Sequence, residues 1–327
     1  MKSKVYFIKL NEVEKIRQLL PKLRAPVGIK VHFGEEGNVT YMPASTIKPL
    51  VEMINNPTFI ECNVLYKSPR TRAATHKELA INHGFDYAPI DILDGEEGDE
   101  KTIVKIKGEH FNECYLGKGI EKYNSILAIS HFKGHISSKF GGALKNIGMG
   151  LASRQGKLAQ HASIQHVVNQ EECNSCGTCI KNCPEDAIQF NEAGKAEINA
   201  QKCIGCSKCI AVCPEGAVGI PWESTGSKEL QERIAEYALA TATGRECYFI
   251  NFLINITKGC DCMAQKFEKL TEDIGIMASA DPVAIDQASY DRVVKHYSEF
   301  KERYGEYQLK QAEELGLGSR EYELIEL

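Results

Sequence analysis

Cys173-Asn-Ser-Cys176-Gly-Thr-Cys179-Ile-Lys-Asn-Cys183-Pro184 recurs in its spacing as Cys203-Ile-Gly-Cys206-Ser-Lys-Cys209-Ile-Ala-Val-Cys213-Pro214. Three thiolates separated by two residues each lie on one tight loop that wraps three irons of a cube. The fourth iron has to be reached from elsewhere. The spacing therefore predicts two [4Fe-4S] clusters with crossed ligation. One takes Cys173, Cys176, Cys179 and Cys213; the other takes Cys203, Cys206, Cys209 and Cys183.

Gly177 and Gly205 suit such tight wrapping, and Pro184 and Pro214 end each loop by fixing φ and removing an amide donor. The flanking apolar residues match as well, so the two copies form an internal repeat with pseudo-two-fold symmetry. Structural zinc uses separated cysteine pairs, four ligands to a metal, and gives no reason for two four-cysteine runs each ending in proline. Disulfide scaffolds are small secreted chains, which a 327-residue chain is not. The stretch 166–222 is thus expected to be an α+β ferredoxin-like module with two clusters.

Around that module the composition is that of a globular protein, with 43% hydrophobic and 25% charged residues. This length allows a large core beside the small module. A net charge of −5 and the lack of a strong basic run argue against nucleic acid. Glu171 to Trp222 is acidic before any cluster charge is counted, so a soluble redox partner is expected to present a basic docking face. Lys9 and Asn11 interrupt the only apolar run at the N-terminus, which excludes a signal peptide by its pattern. No uncharged stretch approaches a membrane span. Thirteen cysteines fit a reducing compartment, and the expected location is cytoplasmic.

Strands are expected at Lys4–Ile8, Val27–Val31, Thr58–Val64, Pro89–Leu93, Thr102–Lys107 and Ser125–Ser130. Helices are expected from Asn11 to Leu20, Ser45 to Asn55 and Lys77 to His83. After the cysteines, Lys228–Leu239 reads as a helix, Tyr248–Ile256 and Asp273–Ser279 as strands, and Asp281-Pro282 as the capped start of a helix. This alternation predicts an α/β fold, a mainly parallel sheet covered by helices. Because it continues on both sides of the cysteines, the module is expected as an insert, with residues 1–165 and 223–327 as the two parts of one body. The acidic link Asp94–Glu100 reads as a solvated loop.

His131-Phe-Lys-Gly-His135-Ile-Ser-Ser-Lys-Phe-Gly141-Gly142-Ala-Leu-Lys145 follows the Ser125–Ser130 strand, where open α/β sheets place their ligands. Glycines this dense are costly in a helix, about 1 kcal/mol each against alanine, and suit a loop that approaches a ligand closely. The candidate catalytic residues are therefore His131, His135 and Lys145, and the candidate cofactor-binding residues Gly141, Gly142 and Lys145. A packing turn explains the glycines equally well. Cys260 and Cys262 are proposed to form, with His131 or His135, a third metal or substrate site, since thiolate and imidazole select soft ions. Cys62, Cys114 and Cys247 read as small core residues. Asp281 reads as a helix cap and Asp286 as a surface or cap-supporting acid.

The stretches HFKGHISSKFGGALKNIGMG, KGCDC and DIGIMASADPVAIDQASYD, together with the double cysteine motif, resemble the domain of unknown function 362 family. Members of that family commonly carry a ferredoxin insert, so the resemblance implies the same architecture. It implies no particular reaction. A fainter likeness is to the N-terminal domain of nickel-pincer lactate racemases, whose Gly-Gly-x-Lys loop holds the pincer cofactor. Here the lysine falls one residue later, at Lys145, and no nickel cofactor is carried over. The leading expectation is a cytoplasmic iron-sulfur oxidoreductase relaying single electrons to a small-molecule site on the α/β body. The alternative is an electron carrier or a metal- or partner-binding protein without turnover.

Overall fold

Ser125–His131 is buried at every position and pairs in parallel with a strand on each side. An apolar run without polar alternation needs that double-sided burial. In the computed structural model, which describes residues 2–161, 166–220 and 225–327, this strand is central to an eight-stranded sheet. In chain order the strands are β1 (Ser3–Ile8), β2 (Val27–Lys30), β3 (Pro57–Glu61), β4 (Ile90–Ile92) and β5 (Ser125–His131). After the cysteines come β6 (Glu246–Leu253), β7 (Gly275–Ser279) and β8 (Tyr322–Glu326). The spatial order is β8-β1-β7-β6-β5-β2-β3-β4. Only β7 runs against its neighbours, β1 and β6. The fold is the α/β class expected, with a mostly parallel sheet.

Alternate residues of β5 enter opposite cores. Ile126 and Ala128 face helices Ala143–Gly148, Ser227–Ala242 and Pro282–His296, through Leu144, Ala238 and Ile285. Leu127 and Ile129 face helices Ala44–Val51 and Ala73–Asn82, through Ile47, Leu50 and Ala80. Hydrophobic burial on both faces makes this strand the structural centre.

Several elements differ from the sequence reading. The first helix is a 3-10 segment, Leu10–Gln18, kinked at Glu12 and without a side-chain cap; Ile16 is its one buried residue. The strand expected at Thr102–Lys107 forms at Lys101–Lys105, but in a separate hairpin with Glu113–Gly117. β8 and helix Glu306–Glu314 were not anticipated. The acidic link is not simply solvated. Asp94 is fully buried and accepts hydrogen bonds from the Asn63 amide and side chain, while Glu97 and Asp99 pair with Lys208 of the cysteine segment.

Residues 166–220 contain two small antiparallel pairs, Val167–Val168 with Val218–Gly219 and Ile188–Phe190 with Ala196–Ile198. Two short helices, Thr178–Lys181 and Lys208–Val212, accompany them. The anticipated boundaries at 165/166 and 222/223 touch residues 162–165 and 221–224, which lie outside the described residues. Among the described residues, no helix is long and apolar enough to cross a membrane.

Candidate functional site

The chain leaves β2 toward β3 and β4 on one side of the sheet, then returns to β5 and continues to β6 on the other. Such a reversal opens a crevice beyond the carboxyl ends of the strands. A cavity of about 460 Å³ occupies that position, lined by Lys30 ending β2 and His32 just after it, Ser130 and His131 ending β5, and Cys260 and Cys262 beyond β6. At its base, Lys30 Nζ lies 2.8 Å from both Glu61 Oε2 and Asn146 Oδ1. Burial lowers the Lys30 pKa although Glu61 opposes the shift.

The glycine-rich segment is ordered structure rather than an open loop. It makes a short hairpin, Lys133–His135 with Lys139–Gly141, and then helix Ala143–Gly148. What approaches Gly142 closely is a carboxylate of this chain. A Cβ there would lie 2.3 Å from Asp286 Oδ1. Asp286 is buried and accepts from the backbone N–H groups of Ala143 (2.7 Å) and Leu144 (2.9 Å) and from Asn251 Nδ2 (2.8 Å). Burial pushes its carboxyl up to about 6 despite those donors. Asp286 therefore supports a cap from the interior and is not a surface acid, whereas Asp281 caps helix Pro282–His296 as expected.

The two histidines part company. His131 Nδ1 lies 2.9 Å from Asp261 Oδ2 and its Nε2 is 2.8 Å from the Ile254 carbonyl. Both nitrogens are engaged by acceptors, so His131 anchors the loop after β6 and does not join the cysteines. Lys133 Nζ is 2.8 Å from the same carboxylate. Burial alone would raise the Asp261 pKa, but His131 and Lys133 outweigh it and hold the carboxyl below its ordinary range. His135 reaches the cysteines because Gly134 N–H donates to Thr257 O at 2.8 Å, clamping the hairpin to that loop.

His135, Cys260 and Cys262 bring their ligand atoms within 4.8 Å of one another, close enough to gather round one ion. Lys145 Nζ stands 3.9 Å from Cys260 Sγ. A hydrogen bond with the Cys262 thiol, aided by Lys145 and His135, holds the Cys260 thiol well below the usual cysteine range against the effect of burial. The same hydrogen bond, with burial, pushes Cys262 well above it. Burial, then Lys145, lowers the His135 pKa.

Sequence reasoning missed His32, Tyr66, Arg70 and Lys157, all of which line the cavity. Arg70 is buried between Glu35 (2.7 Å) and His32 Nε2 (2.9 Å), and Tyr66 donates to the Cys262 carbonyl at 3.0 Å. Lys157 Nζ donates to the carbonyls of Gly150 and Ala152. Among the described residues, neither Lys145 nor Lys157 has a carboxylate within ion-pairing distance. The cavity wall thus carries two cations with no carboxylate partner among the described residues. Gly141 and Gly142 also line this cavity.

The eight repeat cysteines line two further small cavities. One is bounded by Cys173, Cys176, Cys179 and Cys213, the other by Cys183, Cys203, Cys206 and Cys209. The remaining cysteines Cys62 and Cys114 are buried in the core, with Cys247 packed against it. None of the thirteen forms a disulfide.

The chain belongs to the family described as domain of unknown function (DUF362), which matches residues 27–291. No curated protein sequence matches it. Among solved structures, the lactate racemase apoprotein from Thermoanaerobacterium thermosaccharolyticum is similar at a TM-score of 0.36 and 12% identity, over 78% of this chain and 51% of that one. A crystal structure of a protein from Thermotoga maritima is similar at a TM-score of 0.41 and 10% identity, over 93% of this chain and 58% of that one. The chain thus spans little more than half the length of either protein, and likenesses this shallow assign it no activity.

Proposed function

We propose that the chain is an iron-sulfur oxidoreductase in which residues 166–222, inserted into the α/β body, hold two [4Fe-4S] clusters and the crevice binds a small anionic substrate. The donor sets fit the groups: each small cavity is bounded by four thiols, three from one run and the fourth from the other, as cubane ligation requires. When bound, the clusters would supply one-electron transfer, which no side chain of the body can provide.

The observation that carries the reading is Leu65. It lines the crevice and also packs in the apolar cluster containing Cys173, Cys179 and Cys209. The cysteine segment and the crevice thus share one wall. Leu158, on the helix that also presents Lys157 and His161 to the crevice, joins the same cluster. Lys145 and Lys157 would attract and orient the anion. A soluble donor with a basic face suits the acidic segment, and thirteen cysteines without a disulfide suit a reducing compartment such as the cytoplasm.

Anaerobically purified protein is expected to contain about eight iron and eight acid-labile sulfide per chain. Stoichiometric zinc with little sulfide would overturn the reading. The alternative, a carrier without turnover, is favoured if reduced protein is reoxidised by other proteins and never by a metabolite extract. The insertion has its own test. Val167–Val168 pairs with Val218–Gly219, so the segment's ends are neighbours and can be joined by a short linker. The excised chain is expected to unfold cooperatively, and a soluble product without a cooperative transition would refute the insertion.

A further inference from the structure

Several hydrogen-bond donors converge on the sulfur of Cys260. The Cys262 amide is 3.4 Å away, Lys145 Nζ is 3.9 Å away, and the Cys262 thiol and a His135 ring nitrogen lie within 4.8 Å. His135 decides what this arrangement is for. Its Nδ1 accepts from the backbone N–H groups of Ser137 (3.2 Å) and Ser138 (3.0 Å). A neutral imidazole has one lone pair and one N–H. With Nδ1 accepting, Nε2 carries the proton and is the atom left to donate to sulfur. A metal-ligating histidine shows the opposite polarity, donating from the nitrogen remote from the ion. The turn at residues 135–138 is therefore built to support a negative sulfur in preference to an ion.

We propose that Cys260 is a reactive thiolate in the wall of the crevice and Cys262 its resolving thiol, a dithiol–disulfide couple that reduces small anionic disulfides. The substrate class follows from the surroundings. A soft thiolate attacks sulfur, and Lys145 and Lys157 line the same cavity without a carboxylate partner among the described residues.

In the first step a bond forms between Cys260 Sγ and one substrate sulfur as the substrate's own S–S bond breaks; the first thiol leaves with a proton from solvent. Cys262 then gives up its proton and attacks Cys260 Sγ. The internal disulfide forms and the second substrate thiol leaves with that proton. Electrons balance: the dithiol is oxidised by two electrons and the substrate disulfide is reduced by two. Returning the couple to its thiolate–thiol state takes two electrons, delivered one at a time by a one-electron donor, and one proton from solvent. That half alone rests on the cluster reading given above.

The test uses anaerobic holoprotein whose thiols have been reduced and the reductant removed, challenged with oxidised glutathione as the anionic disulfide. Release of about two glutathione thiols per chain is expected, with a Cys260–Cys262 disulfide in the peptide map. Cys262→Ser should retain glutathione on Cys260, and Cys260→Ser should release none from this site. The proposal is overturned if the wild-type map shows no modification of Cys260 or Cys262. It is equally overturned if the protein holds a stoichiometric ion that Cys260→Ser removes while cluster iron is unchanged, because the pair is then a metal site. No electron donor is present, so the outcome is independent of the iron and sulfide analysis.

Discussion

Changing Cys183 to Ala is expected to remove about half of the iron and sulfide, and the half lost should be the cluster whose other ligands are Cys203, Cys206 and Cys209. Cys183 lies in the first cysteine run, yet it lines the cavity of the second run, as Cys213 lines that of the first. Second substitutions identify the surviving cluster. Adding Cys206→Ala to Cys183→Ala should cost no further iron, whereas adding Cys176→Ala should remove nearly all of it. The reverse pattern would mean that each run holds its own cluster and that the crossed ligation is wrong.

Asp286→Ala should lower stability by about 3 kcal/mol, because two helix amides and the Asn251 side chain lose their buried acceptor together. Gly142→Ala attacks the same contact from the other side, since its Cβ would fall 2.3 Å from Asp286 Oδ1. Alone it should cost about 1–3 kcal/mol through overpacking. In the Asp286→Ala background it should cost almost nothing, so the two changes should be strongly non-additive in urea unfolding. Additive effects would show that Gly142 is required for something other than the carboxylate. Acid dependence gives a second reading. The folded carboxyl sits at about 6, above its ordinary range, so its contribution is full below the unfolded value and lost as pH rises through about 6. Asp286→Asn should flatten the stability curve between those limits.

The gathering of the eight repeat cysteines into two sets of four was legible because three members of each set lie close in sequence. The central strand was legible for a similar reason, since Ser125–Ser130 carries its own double-sided burial. The cavity was only half legible. Cys260, Cys262, His135 and Lys145 do meet, because β5 and β6 are parallel neighbours that pair His131 with Phe252. Arg70, Tyr66 and Lys157 enter through strand order, which no local pattern encodes. His131 and Gly142 each answer to an acid far along the chain, Asp261 for the first and Asp286 for the second, a contact no local pattern reveals.

β5 and β6 lie side by side, but Ser125 and Glu246 are 121 residues apart in sequence. At ribosomal rates of ~5–20 residues per second, the later strand is completed on the order of ten seconds after the earlier one. Every repeat cysteine is synthesised within that interval, before β6 exists to pair with β5. Cys260 and Cys262 come later still. The repeat thiols, where the proposed iron would bind, are thus complete during translation before the crevice acquires the wall that follows β6.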